Sequence, residues 1–117
     1  MTEQEAIEII MKARGYEFKP LLELATVCVW INTKTGDWDF QGDTEAQCHD
    51  LNVLAEICKG KGLVIELYID EKAAKVSGKP LEPGIIYGGD TIQEAAMFAT
   101  AEALKKAGDR AFEPRFS

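Results

Sequence analysis

The stretch Asp90 to Gly108, DTIQEAAMFATAEALKKAG, constrains this chain more than any other, because every local signal in it agrees on one helix. Thr91 and Glu94 make a T-x-x-E capping box, in which the hydroxyl and the carboxylate satisfy backbone amides that the first turn leaves without partners. Ile92, Ala95, Ala96, Ala99, Ala103 and Ala107 recur at helical spacing, flanked by Met97, Phe98 and Leu104. So many alanines let a backbone lie close against a sheet or a second helix, so the burial face is broad and flat. Lys105 and Lys106 suit the negative end of the helix dipole, and Gly108 is read as a left-handed C-cap.

The rest of the chain sorts by period. Thr2 and Glu5 box the start of an amphipathic helix over residues 2–14, with Ile7, Ile10 and Met11 on one stripe and Gly15 as its stop. Residues 16–20 lead the chain away, Pro20 biasing Lys19 out of the helical region, and 21–25 stay ambiguous. TVCVWIN at 26–32, the turn sequence NTKTG and DWDFQ at 37–41 spell a β-hairpin, with Trp38 and Phe40 sharing a face. A third box, Thr44 with Gln47, opens a helix read as running from Thr44 to Lys59, stopped by Gly60-Lys61-Gly62. LVIELYID at 63–70 alternates as a half-buried strand. Residues 71–84 carry turn composition, in which AAKV reads as a strand or a helical turn, and Ile85 to Tyr87 form a short strand. Hairpins without strict β-α-β alternation predict an α+β fold, a mainly antiparallel sheet of about four strands with three helices in a layered sandwich. The expected organisation is a single domain over 1–108 and a C-terminal tail over 109–117.

Charge and composition restrict the functions open to such a fold. A net charge of −7 disfavours general binding to phosphate backbones. No apolar run approaches bilayer length and no basic-then-apolar leader follows Met1, so the expectation is a soluble, cytoplasmic protein with no membrane partner. Cys28, Cys48 and Cys58 are odd in number and lack C-x-x-C spacing, which predicts free thiols and no bridge. Cys48 and Cys58 lie on the one helix read over residues 44–59, where rise alone sets them roughly 15 Å apart and forbids pairing.

In order along the chain, the acidic N-terminal MTEQEAIE helix, a tryptophan-containing segment, D-T-E-A opening the middle helix, the K-G-L-V-I-E strand and the G-D-T-I-Q-E-A-A helix start resemble small phage proteins carrying the phage α/β/α sandwich domain. The resemblance covers most of the chain. This sequence departs from the pattern in a longer 71–84 connection and in its tail beyond Gly108. The resemblance implies the layered fold and a phage or prophage gene product made in a bacterial host cytoplasm; no catalytic residue carries over.

Candidate chemistry is sparse. In the tail, Arg110, Phe112, Arg115 and Phe116 combine forked cations with rings that stack on bases, the elements of a small nucleotide pocket, against the plainer reading that the rings pack and the arginines pair with surface acids. Trp38 is added as a stacking surface if exposed, although Trp30 and Trp38 on two hairpin arms read first as core or interface anchors. Cys48 and His49 are helix neighbours about 100° apart and make no nucleophile–base pair, and one histidine with three scattered cysteines is a poor zinc set. Asp37 and Asp39, about 7 Å apart on one strand face, suit a cation or acid/base pair but are read as solvated edge charges. Gly88 and Gly89 before a helix are a weak anion cradle that Asp90 opposes. No catalytic residue, metal or cofactor is assigned. The expected function is a non-enzymatic, homo-oligomeric phage-derived binding protein that sequesters a nucleotide immune signal. The alternatives are an acidic module that blocks a host protein, or a metal-dependent hydrolase built on Asp37, Asp39 and His49.

Overall fold

The computed structural model describes residues 1–21, 24–78 and 81–112, excepting the side chains of 21, 24–27, 39–41, 43, 44, 82, 83 and 108–112. Helix α1 (Glu3–Ala13) is followed by strands β1 (Tyr16–Leu21), β2 (Leu24–Asn32) and β3 (Trp38–Phe40). A short helix α2 (Gln41–Ala46), a 3₁₀ turn (Gln47–His49) and helix α3 (Leu51–Gly60) lead to β4 (Val64–Tyr68), β5 (Ala73–Gly78), β6 (Leu81–Gly88) and the long helix α4 (Ile92–Phe112). The fold is α+β with antiparallel pairing throughout. The six described strands form two sheets of three, ordered β1-β2-β3 and β4-β5-β6.

Helix α4 holds the two halves together. It packs on β4, β5 and β6 with one side and on α1 and α3 with another. Accordingly Ala95, Ala96, Met97, Ala99, Thr100, Ala101, Ala103 and Leu104 are all buried, which is more than one stripe. Thr100 is the only buried polar residue in that run, and its Oγ1 lies 3.9 Å from Cys58 Sγ on α3, a weak hydrogen bond that spares it a desolvation cost. Ile10 and Met11 of α1, Trp30 of β2, Leu54 of α3 and Leu81 of β6 complete the same core.

Two helix starts behave as their sequences imply. The Glu5 amide donates to Thr2 Oγ1 at 3.2 Å and the Glu94 amide to Thr91 Oγ1 at 3.1 Å. Gly15 and Gly62, at the two helix stops, and Gly36, in the hairpin turn, take left-handed conformations, at φ +87°, +72° and +76°.

Four expectations need correction. The segment after Gly15 forms an edge strand, β1, paired with β2 from Tyr16↔Asn32 to Pro20↔Cys28, and an edge tolerates a proline that cannot donate. The middle helix is not continuous from Thr44: the chain turns extended at Asp50 (ψ 117°), whose Oδ1 accepts from the Asn52 amide at 2.8 Å and caps a separate α3. Cys48 and Cys58 therefore sit on different elements, and the rise argument separating them does not apply. AAKV is strand, within β5, and Ile85 to Tyr87 belong to a longer β6. Finally, α4 runs through Gly108 to Phe112, so Gly108 is not its cap.

Because the face of α4 is already filled, Ala99→Leu should destabilise the protein by about 1–3 kcal/mol through overpacking, whereas Ala55→Leu on the exposed side of α3 should be near neutral in urea denaturation. Asp50→Ala should cost about 1 kcal/mol through loss of the α3 cap.

Candidate functional site

The tail residues singled out from sequence do not form a described pocket. Arg115 and Phe116 lie outside the described residues. Arg110 and Phe112 fall in the last turn of α4 with their side chains likewise outside. Trp38 is indeed exposed, at 45%. It lies opposite Ile31, whereas Trp30 lies opposite Asp39, so alternation sends the two tryptophans to opposite sheet faces. Trp30 is buried, its Nε1 donating to Glu45 Oε1 at 3.0 Å and its ring meeting Phe18 at a centroid distance of 4.9 Å. It is a core anchor and joins β2 to α2.

The metal reading gains no support from geometry. Asp37 precedes β3 rather than lying on it, its carbonyl accepting from the Asn32 amide at 2.8 Å. The side chain of Asp39 lies outside the described ones. His49 Nε2 pairs with Glu3 Oε1 at 3.3 Å, tying the 3₁₀ turn to the start of α1. Among the described residues no three His, Cys, Asp or Glu side chains gather to hold a metal ion. No described helix is long and apolar enough to cross a membrane.

An arginine–aromatic pair does occur, at the other end of the chain. Gly15 breaks α1 with a left-handed turn that carries Tyr16 back beside Arg14, and the Arg14 guanidinium carbon lies 5.2 Å from the Tyr16 ring centroid. Arg14 Nη1 also reaches Met11 Sδ at 3.8 Å. The turn is held from outside, since the amide and the hydroxyl of Thr33 both donate to the Gly15 carbonyl, at 3.0 and 2.8 Å. Two open depressions flank this ledge. One, of about 330 Å³, has an apolar floor of Ala13, Val53 and Ile57 and is rimmed by Arg14, Lys61 and Glu56. The other, of about 380 Å³, is lined by Lys12, Gly15, Tyr16, Glu17 and Thr33. Three cations thus meet two carboxylates in a protein of net charge −7, which makes this a local exception to its field. A guanidinium held against a ring is set to fork onto a carboxylate or phosphate, and the apolar floor suits an uncharged body attached to it. The sequence signal was Arg-Gly-Tyr at a helix end, and the tie to Thr33, eighteen residues away, was not legible in it.

The thiols are built into the scaffold. Burial pushes the Cys48 thiol up to about 11, with Arg14 lowering it and Glu45 raising it. Burial likewise raises Cys58, opposed by its hydrogen bond to Thr100. In the native protein a thiol reagent should label Cys28, which is half-buried, well before Cys48 and Cys58, which should react only on unfolding. Since the folded Cys48 keeps its proton longer than the unfolded one, its contribution to stability is complete below pH 9 and is lost as pH rises toward about 11. Denaturation midpoints across that window should fall less steeply for Cys48→Ala than for the wild type. No family model, no curated protein and no solved structure matches this chain.

Proposed function

We propose that this chain is a non-enzymatic binding protein that holds a small anion with a planar or apolar body, a nucleotide being the ligand class, at the Arg14 ledge. The observation that carries this reading is the Arg14 guanidinium lying against Tyr16 between two depressions, with Lys12 and Lys61 on their rims. The guanidinium supplies a bidentate contact to phosphate, and Ala13, Val53 and Ile57 supply an apolar surface for the remainder of the ligand. Glu56 and Glu17 bias the site toward a ligand whose negative charge is confined to one end. In the phage setting that the sequence resemblance implies, sequestering a nucleotide immune signal in the bacterial host is the use of such a site. The tail residues Arg110, Phe112, Arg115 and Phe116, and the exposed Trp38, are the competing location for the same chemistry.

A second reading is favoured by α1, whose solvent side presents Glu3, Glu5 and Glu8, all exposed. Such a face suits an acidic module that occupies a basic surface of a host protein. Capture of a basic host protein that collapses as salt is raised would support it.

Calorimetric titration with a panel of mono-, di- and cyclic nucleotides is expected to give binding that Arg14→Gln weakens by about tenfold or more, the loss of a charge-assisted bidentate contact. Absence of heat with the whole panel at high protein concentration overturns the nucleotide reading. Loss in Arg110→Gln/Arg115→Gln but not in Arg14→Gln moves the site to the tail.

A further inference from the structure

Sheets with open edges usually defend them, because an unpaired row of amides and carbonyls is a template for another strand. Among the described residues three of the four sheet edges are defended. β1 carries Lys19 and Pro20, and its pairing with β2 shifts register between Pro20 and Leu21. β3 is three residues long. β6 contains Pro83, and the pairing of β5 with β6 is irregular between Val76 and Gly78. The edge formed by β4, VIELY, is regular over five residues and has neither proline, glycine nor lysine. Exposed apolar side chains gather on it: Leu67 is 38% exposed, Tyr68 39% and Ile69, just past the strand, 72%.

We propose that β4 is the strand along which two copies of this chain pair, antiparallel about Leu67, to make one six-stranded sheet. The occupant follows from the register. A two-fold axis perpendicular to the sheet keeps each face on its own side, so residues of like parity meet. Centred on Glu66, the pairing sets two carboxylates directly opposite each other, which is unfavourable. Centred on Leu67, it sets Leu67 against its own copy and Glu66 against Tyr68, and brings Ile65 toward Ile69, the first residue of the turn after β4. The pair of Glu66 with Tyr68 is complementary in chemistry already shown within one copy, where the Tyr68 hydroxyl donates to Glu66 Oε2 at 2.9 Å. The inner-face series Leu63, Ile65, Leu67, Ile69, which loses cover progressively toward its end, then finds that cover in the second copy. So short a pairing buries on the order of a few hundred Å² per copy, short of the roughly 800 Å² of a standard interface, so the dimer is a weak one governed by concentration.

Sedimentation velocity over a wide concentration range should show reversible monomer–dimer exchange. Leu67→Lys, which sets two ammonium groups together on the axis, should raise the dissociation constant by about tenfold or more. Tyr68→Lys, which places an ammonium opposite Glu66 of the second copy, should leave dimerisation intact or strengthen it. Both positions are exposed, and an unchanged circular dichroism spectrum verifies folding. A disulfide across the axis gives an independent reading: Leu67→Cys should cross-link under mild oxidation, while Glu66→Cys should do so much more slowly. A wild type that stays monomeric throughout the range overturns the proposal, as does a Leu67→Lys variant that dimerises like the wild type or equal cross-linking at 66 and 67.

Discussion

The architecture depends on how close other elements can come to helix α4. A helix covered on one side needs one apolar stripe, but α4 lies between the β4-β5-β6 sheet and the pair α1 and α3, so most of its circumference must be small or apolar. Alanine at 95, 96, 99, 101 and 103 meets that demand and places Met97 and Leu104 where bulk is wanted. The one polar side chain admitted to this layer, Thr100, is tolerated because Cys58 stands ready to share a hydrogen bond. Both buried cysteines are thereby committed to packing, and their raised proton affinities follow from that burial rather than from any reactive setting.

What could be read in the sequence was what local geometry decides. The caps at Thr2 and Thr91, the helix stops at Gly15 and at Gly60 to Gly62, and the hairpin joining β2 to β3 each involve residues a few positions apart, and each stands as expected. What could not be read depended on distant partners or on competition between two local solutions. β1 exists because β2 offers it a ladder, and Pro20 is harmless only because that strand is an edge. The middle helix was expected to run unbroken from the Thr44 box; extended geometry at Asp50 instead caps a separate α3 and gives two short helices where one was expected. Helix α4 overrides the glycine at 108, since one glycine costs a helix only about 1 kcal/mol.

The same distinction applies to the candidate site. Arginine beside an aromatic ring stands out in the tail because Arg110, Phe112, Arg115 and Phe116 are close in sequence. Arg14 and Tyr16 are equally close, but their use as a ledge rests on the bend at Gly15, the bonds from Thr33 and the approach of Lys61 at the end of α3. The ledge is therefore assembled by three elements rather than carried by one segment.

The strand order of the two sheets has one more consequence. Each sheet is built from strands consecutive in the chain, and β4, β5, β6 and α4 follow one another without a break in which another element intervenes. Nearly all the pairing is thus between near neighbours along the polypeptide, a low-contact-order arrangement that favours rapid folding. The long closure is the docking of α1, at one end, on α4, at the other. The seating of α1 is therefore the contact that couples the β4–α4 half to the start of the chain as one cooperative whole.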